Sequence, residues 1–355
     1  MLSWISTIRK KATNFIAQVY YRFNVLFSKQ KDIVFVWQAQ SKSFGNIPVI
    51  IQQLKERKIP YKVIDGRFSS ENIKVISRAT VLCVDQTNQL TSRLKLIEKT
   101  RTVQLWHAGG AFKRIAFDAW DGSHKDLKRI NRVHGNTDFL IVSDAKLVSL
   151  LANAFHIQSS HVLPLGLARS DVAPPLSNSK TEPKNLILLA PTFRTDVAGR
   201  RYLNYLEDEV KFLQVEAKRN GYDLALRLHP SVKSFHIDGI LDVSNEELYS
   251  CLSKTAILIT DFSSIIFDYS LFDGKVFWWL KDYDLYEIER GLYFDPSIVY
   301  PEYSAQTVEA LIPKIFNSNK PINTPELRKN FMSACDGKSC DRITQFLINL
   351  SSEVK

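Results

Sequence analysis

The chain has 355 residues, 45% hydrophobic and 24% charged, so it folds rather than staying disordered, and its length favours two hydrophobic cores over one. Its formal net charge of +10 points to an anionic partner: a phosphorylated substrate, a membrane surface or nucleic acid. The four cysteines (Cys83, Cys251, Cys335, Cys340) form no CxxC pair and no His-Cys metal spacing, which fits thiols kept reduced in a cytosolic protein, and no run of about 18 apolar residues is present to span a bilayer.

The first predicted element is a helix. From Met1 to Lys31 there are six Lys or Arg and no acid, Asp32 being the first. Leu2, Ile5, Ile8, Ala12, Phe15/Ile16, Val19, Phe23 and Leu26/Phe27 recur every three to four residues, with Trp4, Tyr20 and Tyr21 in or beside the stripe. This pattern predicts a basic amphipathic helix over residues 1–30, suited to lying in an anionic membrane surface. Arg9-Lys10-Lys11 interrupts any apolar core of a signal peptide. The alternative is that the stripe packs against the helix's own domain.

Short apolar runs follow at 32–37, 61–64, 80–84, 102–106 and 139–142, with helix-like stretches at 45–58 and 71–77. Strands alternating with helices predict a parallel sheet, so residues 31–172 are expected to form a Rossmann-like domain. Asp171–Lys184 carries three prolines among Ser and Asn and reads as a linker, set at 173–184. The alternation restarts at 185–189, 224–228, 256–259 and 276–280, predicting a second such domain over 185–355. The expected fold is α/β: two doubly wound domains facing a cleft, the ligand sitting beyond the carboxyl ends of the strands.

Four polar clusters stand at those strand ends. In Trp106-His107-Ala-Gly109-Gly110-Ala-Phe-Lys113-Arg114 the histidine directly follows a strand, and imidazole can take a proton from an attacking hydroxyl near neutral pH; the two glycines permit close approach. The other reading of His107 is a loop histidine satisfied by hydrogen bonds. Ala190-Pro-Thr192-Phe-Arg194 and Arg227-Leu-His229-Pro230 place cations where they could neutralise a phosphate, or be plain solvated charges. In Thr260-Asp261-Phe-Ser263-Ser264, Thr260 and Asp261 are expected to cap a helix, leaving the serine hydroxyls and nearby N–H groups for an anion. Asp268, one and a half turns on, is either ligand-directed or surface. The histidines at 124, 134, 156, 161 and 236 show no ligand spacing, and neither H-E-x-x-H nor a Walker A loop is present, so no metal or cofactor is indicated. The basic charge also lacks the aromatic-interleaved pattern of a nucleic-acid surface.

Together, in order and spacing, these clusters resemble the CDP-glycerol glycerophosphotransferase family of teichoic acid synthesis. The resemblance rests on Trp106-His107…Gly109…Lys113-Arg114, Ala190–Arg194, Leu226–Pro230, Ile259–Ser264 with Phe267-Asp268, and Arg290–Asp295. It implies a GT-B architecture of two Rossmann-like domains, peripheral on the cytoplasmic face of the plasma membrane. The implied reaction moves a polyol phosphate from a CDP-alditol to a hydroxyl of a lipid-linked acceptor and releases CMP. By the resemblance His107 is the general base, and His229, Arg194, Thr192, Ser263 and Ser264 fall on the donor-pyrophosphate positions, with His229 counted as a second catalytic histidine; Arg227, Thr260, Asp261 and Asp268 are expected to serve the donor pyrophosphate and nucleotide with them. Gly109, Gly110, Lys113 and Arg114 fall on the acceptor side. Where polymerases of the family carry Gly-Thr-Pro after the histidine, this chain has Ala108-Gly109-Gly110-Ala111, closer to the priming enzymes that act on an undecaprenyl-diphosphate disaccharide. A polymerase using CDP-glycerol or CDP-ribitol, for teichoic acid or capsule, and a GT-B nucleotide-sugar glycosyltransferase remain as alternatives.

Overall fold

The computed structural model describes residues 2–37, 45–173, 185–192, 194, 196–229, 236–316 and 319–353. Its strands are β1 (Asp32–Val36), β2 (Tyr61–Ile64), β3 (Ala79–Val84), β4 (Arg101–Gln104), β5 (Phe139–Ile141), β6 (Val162–Leu163), β7 (Leu186–Ala190), β8 (Asp223–Leu226), β9 (Leu241–Asp242), β10 (Thr255–Thr260), β11 (Lys275–Trp279) and β12 (Ser304–Ala305). The inner strands β3, β7, β10 and β11 are nearly continuous runs of buried apolar side chains, because helices cover both faces of a parallel sheet. The two-residue strands β6, β9 and β12 are too short to leave a pattern in the sequence.

The strands form two parallel sheets, ordered β2-β1-β3-β4-β5-β6 and β12-β11-β10-β7-β8-β9. In the second, the chain starts at β7, adds β8 and β9 on one side, and then places β10 on the other. Such a reversal opens a crevice at the carboxyl ends of the two strands that flank it. The register pairs Ala190 with Thr260, so the residues after β7 and after β10 emerge abreast.

The chain divides into two units: Met1–His107, Ile115–Val172 and Ser333–Lys355 in the first, Ala108–Arg114 and Ala173–Met332 in the second. Two stretches depart from the expected boundaries. Residues 333–355 were expected in the second domain, yet the helix Ser339–Glu353 sends Ile343, Leu347 and Leu350 into the core with Ile33, Phe35, Ile50 and Val81. The Asp171 carboxylate accepts from the Ser339 and Cys340 amides at 3.1 and 2.7 Å, capping that helix from a distant part of the chain. Ala108–Arg114, expected in the first domain, pairs with the second unit: Tyr293 N donates to Phe112 O at 2.8 Å, and Arg114 N to Gly291 O at 3.0 Å. Beyond Ala173 the expected linker lies outside the described residues.

The N-terminal helix spans Leu2–Leu26. Ala17 and Tyr21 pack into the core beside Val34, Ile73, Ile76 and Leu82. Gln18 exchanges two hydrogen bonds with the Lys95 backbone, at 2.9 and 2.8 Å. Phe15, Ile16, Val19, Phe23, Leu26 and Phe27 are nonetheless exposed. Among the described residues no helix is long and apolar enough to cross a membrane.

Candidate functional site

At the reversal of the second sheet the turns after β7 and β10 are tied together by side chains. Asp261 is buried, and its Oδ1 accepts from Thr192 N at 2.7 Å, Thr192 Oγ1 at 2.6 Å and Phe262 N at 2.6 Å. Arg194 Nη2 reaches Asp261 Oδ2 at 2.9 Å and Asp282 Oδ1 at 2.8 Å, Nε reaches Asp282 Oδ2 at 2.9 Å, and Nη1 donates to Thr192 O at 3.0 Å. The guanidinium is only 9% exposed and lies 4.7 Å over the Tyr286 ring, which stacks on Phe262 with centroids 4.0 Å apart. Two carboxylates offset its charge. Arg194 thus ties Thr192 after β7 to Asp261 after β10 and to Asp282.

Thr260 and Asp261 do not cap the next helix as expected. The Thr260 hydroxyl donates to Ala190 O at 2.6 Å, closing the β7–β10 pair, and Asp261 is occupied with Thr192 and Arg194. The helix Ile265–Tyr269 has five residues and starts at Ser264 without a side-chain cap, so its dipole offers an anion little. What remains for a ligand is the pair of half-buried serines, Ser263 and Ser264, immediately after the braced aspartate. Asp268 is not at the surface: it is buried and accepts from the Tyr249 hydroxyl at 3.1 Å. Arg227 spends Nη1 on the Val243 and Glu246 carbonyls at 2.9 and 3.0 Å, holding the chain after β9. His229 is exposed at its rim, while partial desolvation of the ring and then the Lys113 ammonium hold its pKa below the usual histidine value.

Gly109 and Gly110 were expected to admit an acceptor. Both are buried, and a side chain at either would overlap neighbours: Met332 and Phe267 at Gly109, the Phe267 ring at Gly110, whose φ of +57° also suits glycine. Their first role here is packing. Lys113 pairs backbone-to-backbone with Leu292 and sits half-buried in the second unit. Arg114 is exposed, with Glu287 4.0 Å from its guanidinium.

His107 ends the first stretch of the first unit, just past β4, and its imidazole is exposed. The backbone beneath it is tightly held. Trp106 adopts φ +54°, an uncommon left-handed value for a bulky residue. Asn46 Nδ2 donates to Leu105 O at 3.0 Å and Trp106 O at 2.8 Å, Asn46 Oδ1 accepts from Arg169 N at 3.1 Å, and Arg169 Nη1 donates to His107 O. The Trp106 ring, edge-on to Phe155 at 5.3 Å, lies 4.6 Å from the imidazole.

Sequence reasoning passed over Asn46, Arg169, Asp282 and Tyr286. Asp282 had a signal, being an acid just past a predicted strand end; the two residues bracing His107 had none, since their partners lie 60 or more positions away.

The chain is 28% identical over 352 residues to a teichoic acid glycerol-phosphate primase of Bacillus subtilis, covering 94% of this chain and 87% of that protein. It is 29% identical over 275 residues to a teichoic acid ribitol-phosphate primase of Bacillus spizizenii, covering 70% of each. Its fold matches that of the wall teichoic acid polymerase TagF with a TM-score of 0.76, over 99% of this chain and 97% of that one, at 23% identity. Residues 4–349 match the family model for CDP-glycerol:poly(glycerophosphate) glycerophosphotransferases, and the chain belongs to that family of transferases.

Proposed function

We propose that this protein transfers glycerol phosphate from CDP-glycerol to a hydroxyl of a membrane lipid-diphosphate-linked disaccharide, releasing CMP, as the priming step of wall teichoic acid synthesis. The observation that carries the reading is the Thr192–Arg194–Asp261–Asp282 brace at the reversal of the second sheet, which fixes the strand-end turn bearing Ser263 and Ser264. In the reaction the acceptor oxygen bonds to the β-phosphorus. The bond from that phosphorus to the bridging oxygen breaks, its electron pair leaving on CMP, and the acceptor proton passes to His107. Priming is favoured by likeness along nearly the whole length of a priming enzyme.

A ribitol donor is the second reading, since a ribitol-phosphate primase is 29% identical over a shorter stretch of 275 residues. Mass spectrometry of the product from a synthetic lipid-diphosphate disaccharide separates them. One glycerol phosphate added from CDP-glycerol is expected; a ladder would make the protein a polymerase, and product from CDP-ribitol alone would sink the glycerol donor.

The same reading makes the protein peripheral on the cytoplasmic membrane face. Its support is the N-terminal helix, where exposed Phe15, Ile16, Val19, Phe23, Leu26 and Phe27 lie among exposed Lys11, Arg22 and Lys29.

A further inference from the structure

Strand β4 ends at Gln104, and the carbonyls of the next three residues are taken by two side chains from distant parts of the first unit. Asn46 Nδ2 donates to Leu105 O at 3.0 Å and to Trp106 O at 2.8 Å, and Arg169 Nη1 donates to His107 O. The two holders are joined to each other, Asn46 Oδ1 accepting from Arg169 N at 3.1 Å. Within the turn, Trp106 N donates to Gln104 Oε1 at 3.0 Å. Neither holder serves its own neighbourhood. An asparagine that opens a helix ordinarily bonds that helix's free amides, whereas Asn46 opens the helix Asn46–Glu56 and spends its Nδ2 59 and 60 residues away. An arginine ordinarily keeps its guanidinium in water, whereas Arg169 is 3% exposed and Asn46 1%. Polar groups so deeply buried are costly unless their hydrogen bonds are well made, which penalises any other placement of the three carbonyls. What they hold is a conformation that a bulky residue rarely adopts, the left-handed Trp106 with φ +54°. Directly past that turn stands the exposed imidazole of His107.

We infer that Asn46 and Arg169 are positioning residues for His107: they fix the three peptide planes that aim its imidazole, and they act on turnover only through it. The inference rests on the reading of His107 as the group that takes the acceptor proton, and it adds the two residues that hold that group in place. An exposed imidazole takes much of its aim from its backbone, and a misplacement of about 1 Å in a reacting group can cost about 10²-fold in rate. A residue that merely packs the first unit would lower activity whether or not His107 is present. Loss of the clamp, by contrast, matters only while there is an imidazole to aim.

The test is a double-mutant cycle in the full chain, with Asn46→Ala and Arg169→Lys each made in the wild type and in His107→Ala. Either change leaves a buried carbonyl poorly satisfied and lowers the melting temperature, so rates are compared well below it, on folded protein. In the wild type, kcat should fall about 10- to 100-fold with KM for CDP-glycerol changed by less than about twofold; in His107→Ala the further fall should be less than about threefold. Equal losses in the two backgrounds, or no loss in the wild type, overturn the inference. A second measurement needs no turnover. In protein carrying ¹³C in its histidine rings, the His107 resonance is identified among the seven histidines by its disappearance in His107→Ala. It should shift or broaden in Asn46→Ala and in Arg169→Lys while those of His156 and His161 stay in place. An unmoved His107 resonance overturns the clamp and leaves the transfer reading standing. If the wild type releases no CMP from CDP-glycerol but the His107 resonance moves as expected, the clamp stands and the transfer reading falls.

Discussion

The two strand ends to which the proposed function assigns the chemistry are built in opposite ways. At His107 the backbone is immobilised by Asn46, Arg169 and a left-handed Trp106, while the imidazole itself is exposed. At Thr192, Arg194 and Asp261 the side chains immobilise each other, and those of Arg194 and Asp261 are nearly removed from water. A group that exchanges protons needs a fixed position and open access; a group that shapes an anion site needs fixed dipoles whose orientation is settled before the ligand comes. The largest expected effect tests the first half. His107→Ala should lower turnover by about 10²- to 10⁴-fold with an unchanged melting temperature, since it removes an exposed side chain. Full turnover in that variant would remove His107 from proton transfer.

The second strand end should break differently. Arg194→Met leaves the Asp261 and Asp282 carboxylates without their partner, and should destabilise the second unit by about 3–5 kcal/mol. Adding Asp282→Asn should recover part of the stability in denaturant titrations without recovering turnover. A melting temperature unchanged by Arg194→Met would mean that the brace is not holding the turns.

Much of this was legible in the sequence because it is local. The apolar runs named β1, β7, β10 and β11 within one or two residues, and His107, Thr192 and Arg194 were conspicuous as polar residues directly after such runs. What could not be read was set by distant partners. Asp261 looks like a helix cap beside Ser263 and Ser264, but Arg194, 67 residues earlier, claims its carboxylate. The helix Ser339–Glu353 has an ordinary amphipathic pattern, and nothing local says that its cap is Asp171 or that it returns to the first core. The glycine pair after His107 likewise reads as room for a ligand until Phe267 is seen to fill that room.

Gly110 sharpens the comparison, because it lies three residues past the exposed histidine yet packs in the second unit. Alanine there meets both an unfavourable φ of +57° and the Phe267 ring, a combined cost of about 2–4 kcal/mol. Gly110→Ala should lower the melting temperature, and adding Phe267→Ala should leave less further loss than the two single changes sum to. Additive losses would show that the ring is not what the glycine accommodates.

The smallest effect separates two faces of one helix. Tyr21 is fully buried and its hydroxyl accepts from Ile97 N at 3.3 Å, whereas Phe23, two residues on, is 59% exposed. Tyr21→Ala should therefore cost about 3–5 kcal/mol of stability, and Phe23→Ser almost none. On a membrane the order reverses in kind: burying a phenylalanine side chain is worth about 1.5–3 kcal/mol, so Phe23→Ser should weaken sedimentation with anionic vesicles roughly tenfold at unchanged melting temperature. The exposed basic residues Lys11, Arg22 and Lys29 add a part that fades with salt, whereas the Phe23 part does not. Vesicle binding unaffected by Phe23→Ser and by a companion Phe27→Ser would leave the outer stripe without a membrane role, and the inner face, through Ala17 and Tyr21, would be the helix's sole packing surface.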